Sequence, residues 1–262
     1  MVTAGGHARF CPGEEHGEIV FLTGSGLSAR TGLGTFRGPD GLWAMEPETE
    51  QAMHAELLPG SLPMLWSVWG RMARIALDHG PTPGHRAIAR LGAPVITQNI
   101  DGLHQAAGSE VFAELHGSAL QAVCLGPECR WRATVVPGAG SRAEDHGVPA
   151  ACPDCGEPTR PDVVLFDENL PADALELAVR LARRADLFVA VGTSGVVFPA
   201  AQLAPTAKAH GATTVLIDID PPPDPALRAI FDHIIAEDAH EVLPDWERTL
   251  NQVGRSSFLD PF

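Results

Sequence analysis

The sequence predicts an α/β fold: an open parallel sheet covered by helices on both faces, carrying a small helical insertion and a cysteine-bearing module. Three observations lead there. Four short apolar runs, Glu18–Thr23, Ala93–Thr97, Asp186–Gly192 and Thr213–Asp218, have the length of buried strands. Helical stretches alternate with them, the rhythm of parallel strands joined by crossovers. Residues 120–160 break that rhythm, with paired cysteines set among Pro, Gly and charged residues.

Residues 1–16 are polar, glycine-containing and unpatterned, and are expected to form a loose leader. Glu18–Thr23 (EIVFLT) reads as a buried strand followed at once by glycines. Leu62–His79 has helical spacing, and His85–Leu91 reads as a shorter helix. Ala93–Thr97 (APVIT) is the next strand and ends on polar residues. Asp186–Gly192 (DLFVAVG) and Thr213–Asp218 (TTVLID) follow, each preceded by an Ala- and Leu-rich helical stretch. No internal repeat is found. The expected organisation is a single unit. Its large domain is built from about 17–36, 80–119 and 160–250, with a helical insertion at 37–79 and a metal-binding module at 120–159. Residues 251–262 are expected to be a disordered tail.

The chain has 262 residues, 45% of them hydrophobic, enough for one large domain with a small second module. A formal charge of −15 argues against a nucleic-acid-binding surface and is compatible with a cationic partner such as a lysine-rich protein segment. No signal segment and no 18-residue apolar run is found, so no membrane association is expected. The expected location is the cytoplasm, where thiols stay reduced and paired cysteines point to metal rather than to disulfides.

Gly24-Ser25-Gly26-Leu27-Ser28 directly follows the first strand. Glycines in such a turn let backbone N–H groups approach a phosphate pair, although many such turns serve only to reverse the chain. In an open parallel sheet a nucleotide lies at the carboxyl ends of the strands. The other strand ends carry Gln98-Asn99-Ile100-Asp101, Gly192-Thr193-Ser194 and Asp218, small or polar residues suited to a ribose and phosphate crevice.

Cys124 and Cys129 enclose four residues, Cys152 and Cys155 enclose two, and 22 residues separate the pairs. Two such knuckles offer four thiolates to a tetrahedral Zn²⁺. Four thiolates leave no position for water, so one structural zinc is expected. Redox cysteines or paired disulfides are the competing reading. Cys11, the fifth cysteine, belongs to neither pair.

Residues 24–43, GSGLSARTGLGTFRGPDGLW, resemble the first signature of the sirtuins. TQNIDGLHQAAGS at 97–109 is similar to the second, and ELHGS at 114–118 to the segment holding the family's catalytic histidine. RPDVVLFDENLP at 160–171 and GTSGVVFPAA at 192–201 complete the set in family order. The resemblance spans about residues 17–250. It implies a Rossmann-like sheet with an inserted zinc-ribbon module, NAD as co-substrate, and acyl-lysine proteins or peptides as partners.

The implied activity is transfer of an acyl group from lysine to ADP-ribose. The acyl oxygen attacks the nicotinamide ribose carbon, nicotinamide leaves, and the histidine matched by His116 acts as a base on a ribose hydroxyl. Asn99 and Asp101 match residues that hold the ribose and the nicotinamide carboxamide, and Gln98 a ribose contact. Gly24, Ser25 and Gly26 match the phosphate loop. Phe36 and Arg37 match a mobile loop over the cofactor, and Thr193 and Ser194 a second phosphate and ribose contact. Ser28, Gly192, Asp218 and Ala239 carry over as further cofactor contacts. The peptide is expected to add as a strand between Val163–Asp167 and Gly195–Phe198. Val164, Phe166, Val196 and Val197 then wall the lysine tunnel.

The chain departs from the family in places that matter. Ser25 stands for a usual Ala, Gly34 for a common Pro, and Asp218 for a common Asn. A carboxylate at Asp218 accepts ribose hydroxyls and repels a 2′-phosphate, which favours NAD over NADP. Asp167 stands for Gly beside the peptide groove. One branch of the family removes succinyl, malonyl or glutaryl groups with a Tyr and an Arg three residues on. Aligning PMLWSVWGRMARI puts Trp69 and Met72 at those positions. The chain has no tyrosine at all, so acetyl or another uncharged acyl group is expected, with Arg71 and Arg74 as near neighbours in sequence. The alternatives are a protein ADP-ribosyltransferase and a non-catalytic NAD or ADP-ribose sensor. The setting of His116 argues against both, since neither needs a ribose hydroxyl activated.

Overall fold

The computed structural model describes residues 10–13, 16–33, 41–193 and 198–256, the last five of them by backbone alone. Nine strands are formed there: β1 (Ile19–Thr23), β2 (Val95–Thr97), β3 (Val111–Glu114), β4 (Gly117–Cys124), β5 (Arg132–Thr134), β6 (Thr159–Val163), β7 (Leu187–Val191), β8 (Thr213–Ile217) and β9 (His233–Ile235). The helices are α1 (Leu42–Met45), α2 (Pro47–Ala52), α3 (Leu62–His79), α4 (Pro83–Leu91), α5 (Leu103–Ala107), α6 (Ala172–Arg184), α7 (Leu203–Ala209), α8 (Pro225–Arg228) and α9 (Ala239–Ser256).

Six strands form one sheet in the order β3-β2-β1-β7-β8-β9, and every pairing in it is parallel. The chain works outward from β1 to β3, then returns to the middle at β7 and works outward the other way. The order therefore reverses between β1 and β7, where an open α/β sheet leaves a crevice at its carboxyl edge. Period-two alternation divides the apolar residues between the faces. Val20, Leu22, Ile96 and Phe188 pack against α6 and α7 through Ala178, Leu181, Leu203 and Ala207. Phe21, Val95, Val189, Val215 and Ile217 pack on the other face against α4 and α9 through Ile88, Val242, Leu243 and Trp246.

Local signals set the helix ends. Thr82 caps α4 by accepting from His85 N, Pro83 sits in the first turn where no N–H is needed, and Gly92 ends it in the left-handed region. The helical insertion α1–α3 packs through Leu65, Val68, Trp69 and Ala73 onto Ile100, Val163 and Leu165. The cysteine-bearing module is a three-stranded antiparallel sheet, β5-β4-β6, with a small core in which Ala122, Val135, Ala143 and Val148 pack with Trp66 of α3.

Two expectations about the ends are corrected. Within the leader, Phe10 and Cys11 pack on the core, and the Phe10 carbonyl accepts from Trp246 Nε1 at 3.1 Å. The leader's aromatic residue thus supplies an apolar face and an acceptor for a buried indole. Helix α9 continues to Ser256, through the first residues of the stretch expected to be disordered. The short edge strands β3 and β9 also escaped the sequence reading, being brief and only partly buried.

Candidate active site and metal centre

The crevice at the β1/β7 switch point is built by close backbone contact. Gly24 N donates to Val191 O at 3.0 Å and Gly26 N to Gly192 O at 2.9 Å. A Cβ on Gly24 would lie 2.6 Å from Gly192 O, and one on Gly192 would lie 2.5 Å from Leu27 N. Gly192 also has φ +57, so both its space and its conformation call for glycine.

Polar side chains are gathered above this turn. Asn99 Nδ2 donates to Gly24 O at 3.0 Å and to Ser28 Oγ at 3.2 Å, and Ser28 Oγ donates to Asp101 Oδ2 at 2.6 Å. Leu103 N donates to Asp101 Oδ1 at 2.9 Å, so both carboxylate oxygens are fixed. Burial raises the Asp101 pKa above the usual carboxylate value, opposed by the Ser28 and Leu103 hydrogen bonds. Ser25, Ser28, Met72, Ala73, Asn99, Ile100 and Asp101 line one cavity. Met72, expected at the acyl pocket, therefore faces the cavity of Asn99 and Asp101. Trp69 and Met72 share one face of α3, about one turn apart along its axis, and line adjacent cavities.

Gln98 ties three parts together. Its N–H donates to Thr23 O, its side-chain Nε2 donates to Thr193 Oγ1 at 2.9 Å, and its carbonyl accepts from His116 Nδ1 at 3.0 Å. A carbonyl can only accept, so Nδ1 carries the proton and Nε2 is the basic nitrogen. Burial lowers the His116 pKa below the ordinary imidazole value, opposed by the Gln98 carbonyl. A neutral imidazole with a free Nε2 can take a proton at neutral pH.

His116 opens into a separate groove with Trp43, Met53, Trp69, Val164, Phe166 and Phe198 in its walls. Val164 N donates to His116 O at 3.0 Å, joining the wall to the histidine. Phe166 is held by residues the sequence reading did not single out: its N–H donates to Met53 O, and its carbonyl accepts from Ala55 N. Arg71 is drawn off to Glu46, and Arg74 to Asp78 and the Pro137 carbonyl. Among the described groove residues none is Lys or Arg. Asp218 and Ala239 meet Gly26, Arg30, Gly192 and Asp238 in a third cavity at the ends of β7 and β8. Burial raises the Asp218 pKa as well. Phe36, Arg37, Ser194, Val196 and Val197 lie outside the described residues, as does Gly34.

The structure adds a layer beneath the crevice. Thr23 and Thr97 are paired in register, and Thr23 Oγ1 donates to Thr97 Oγ1 at 2.9 Å, which in turn accepts from Asn99 N at 3.0 Å. His104 Nε2 lies 2.8 Å from Thr23 Oγ1, and the His104 ring meets His85 edge-on at 4.7 Å. A threonine ending each of two adjacent strands was the only sequence signal for this chain of bonds.

The four cysteine sulfurs lie within 4.8 Å of one another. Cys124 Sγ is 3.3 Å from Cys155 Sγ, and Cys129 Sγ is 3.7 Å from Cys152 Sγ. Tetrahedral zinc with bonds of about 2.3 Å sets its sulfurs about 3.8 Å apart, so the set fits. Gly126 N donates to Cys124 Sγ at 3.2 Å, as a metal-bound thiolate requires of its surroundings.

Residues 24–199 match the Sir2 family. The chain belongs to that family. It is 42% identical over 234 residues to NAD-dependent protein deacylase 2 of Pyrobaculum aerophilum, covering 86% of this chain and 88% of the relative. It is 40% identical to the NAD-dependent protein deacylase of Aquifex aeolicus, covering 80% and 86%. A solved Sir2 homolog–NAD complex superposes with a TM-score of 0.78 at 33% identity, covering 91% of each chain. A Sir2 complex with a p53 peptide and NAD⁺ gives 0.71 at 31% identity, covering 92% of this chain and 95% of that one. The Sir2 fold accounts for the switch-point crevice, and the cysteine cluster is compatible with a structural zinc in it.

Among the described residues no helix is long and apolar enough to cross a membrane.

Proposed function

We propose that this Sir2 protein removes acetyl, or another uncharged acyl group, from lysine side chains of proteins, giving nicotinamide, O-acyl-ADP-ribose and free lysine. The observation that carries the reading is His116. Its Nδ1 is committed to the Gln98 carbonyl, its Nε2 is left basic, and it stands where the apolar groove meets the polar crevice. An acylated lysine carries no charge, so a groove walled by Trp69, Val164 and Phe166 suits its chain.

NAD fits the crevice. The Gly24–Gly26 turn brings the backbone to close approach at the switch point, and Ser25, Ser28, Asn99 and Asp101 offer polar contacts beside it. When bound, NAD supplies the ribose carbon that receives the acyl oxygen as nicotinamide leaves. Asn99 and Asp101, fixed by Ser28 and Leu103, orient ribose and carboxamide. His116 would take the proton of a ribose hydroxyl placed to attack the acyl carbon, and a water molecule would supply the oxygen with which the free lysine is released. Asp218 accepts from the adenosine ribose and disfavours a 2′-phosphate. Zinc, held by Cys124, Cys129, Cys152 and Cys155, fixes the ribbon and takes no part in the chemistry. Reduced thiolates of this kind suit the cytoplasm.

Among its described residues the groove offers no Lys or Arg to an acidic acyl group, since Arg71 and Arg74 are engaged elsewhere and Trp69 carries no charge. The test is a panel of acyl-lysine peptides with NAD, read by mass spectrometry, with nicotinamide release followed with and without peptide. Peptide-dependent release and an acylated ADP-ribose product are expected. Release that labels protein with ADP-ribose, or no release at all, would sink the reading in favour of a transferase or a sensor.

A further inference from the structure

The acyl-lysine groove ends in a residue whose backbone is out of place for its type. Asp167 has φ +70, the non-glycine residue among those described that lies in the left-handed region. Glycine takes that region without cost, whereas a side chain there is strained, least so for Asp and Asn. Such an outlier at the wall of a substrate groove is a pointer to function.

The surroundings say which function. The groove is apolar along most of its length, and Asp167 and Glu168 are the carboxylates among its described residues. Glu168 is spent within the protein: it pairs with Arg160 and accepts from Leu165 N at 2.9 Å. Asp167 is different. His54 Nδ1 donates to its Oδ2 at 2.8 Å, and its side chain remains 72% exposed. A carboxylate has room for about four hydrogen bonds, so most of its acceptor capacity faces outward. Phe166, the preceding residue, is pinned on both sides by Met53 and Ala55, and its ring meets His54 at 5.1 Å. The carboxylate is therefore held in a fixed place at the groove.

An acylated lysine cannot use it, because acylation has removed the charge. A cation elsewhere on the same peptide can. The geometry points to Asp167 as a specificity-determining residue that selects acyl-lysine sites with an Arg or Lys next to the acylated position. This rests on the deacylase reading above. The chain's charge of −15 reinforces the choice at longer range by drawing basic segments toward the surface.

The test uses the full chain with NAD and a set of acetyl-lysine peptides. One peptide has uncharged flanks. The others carry a single Arg, or a single Glu, placed in turn at the two positions on either side of the acetyl-lysine. The readout is the ratio of kcat/KM for each charged peptide to that for the uncharged one. At low salt the best Arg peptide is expected to exceed the uncharged one by about two- to five-fold, the range of an exposed ion pair, with the matching Glu peptide below it. The preference should shrink as salt rises. Asp167→Asn keeps a residue tolerant of the left-handed region and removes the charge, so its ratio should fall to near one. Asp167→Gly relieves the backbone and should give the same ratio, which guards against misfolding of one variant. Because each ratio is taken within one protein, a change in overall rate does not enter it. A wild-type ratio of one, or a ratio unchanged in both variants, would overturn the assignment while leaving the deacylase reading intact. Failure to turn over any peptide would remove both.

Discussion

The crevice and the zinc module hold polar atoms in place by different means. In the crevice, Asn99, Asp101 and Ser28 are buried and fixed by hydrogen bonds that cross from one strand end to another. They can be buried because two large apolar layers back the sheet. The zinc module has a core of a few residues, and Cys155 is exposed. So small a core cannot fix four sulfurs by packing, and the cysteine cluster is compatible with a zinc ion that would do so instead. Polar precision is thus inherited from the core in one region and would be supplied by coordination in the other.

The sharpest way to break this comparison is to remove the metal. Chelation, or Cys152→Ser, should release the ribbon and lower Tm by roughly 10 °C or more, and metal analysis should find one zinc per chain. An unchanged Tm would show that the module holds itself. The crevice should respond differently. His116→Ala should cost about 100-fold or more in turnover, typical for a general base, while NAD affinity by calorimetry stays within a few-fold. Turnover near wild type would take His116 out of the mechanism. In the groove, acetyl should be removed about 100-fold more efficiently than succinyl, since a desolvated carboxylate finds no Lys or Arg among the described residues there. Equal rates on one peptide would return attention to Arg71 and Arg74.

Two glycines compare the regions directly. Gly192 and Gly156 both have positive φ, but only Gly192 has backbone within 3 Å of a would-be Cβ, while Gly156 has nothing within 4 Å. Gly192→Ala should destabilise by about 2 kcal/mol or more and raise the KM for NAD, and Gly156→Ala by about 1 kcal/mol. Equal losses in urea unfolding would mean that conformation, not close approach, governs both.

A further expected effect is on pH dependence. Burial and neighbouring positive charge lower the His85 pKa to about 2, and burial lowers that of His104 to about 4. In the unfolded chain both return to about 6.5. Their contribution is whole above pH 6.5 and is lost progressively as pH falls toward the folded values, because the unfolded state binds the protons. Tm should therefore decline from pH 7 to pH 5, and less steeply in His85→Gln. A flat profile would mean that the pair is not buried in its neutral form.

Much of this was legible in the sequence. Helix α3 begins and ends as its periodicity indicates, and β1, β2, β7 and β8 fall within the four apolar runs. The cysteine spacing anticipated the sulfur cluster. The edge strands were not legible, because β3 and β9 are three or four residues long and partly exposed, leaving too little pattern to read. Phe10 and Cys11 looked like leader residues because nothing near them in sequence shows that Trp246 lies across the way. Met72 lines the cavity of Asn99 and Asp101 while Trp69 lines the groove, because an alignment gives a position along α3 but not which of two adjacent cavities a side chain meets.

The sequence by itself determined the strand and helix order, the glycine turn after β1, the metal-ligand set and the histidine segment, since each is a matter of residue type and near spacing. Only the tertiary structure decided that Gln98 fixes the His116 tautomer, that Thr23 and Thr97 underpin Asn99, and that Asp167 stands strained at the groove beside His54. Three of these contacts, Gln98 with His116, Thr23 with Thr97 and His54 with Asp167, join residues 18 to 113 positions apart. A hydrogen bond depends on ångström distances between atoms, and chain order does not encode such distances until the sheet has set the strands side by side.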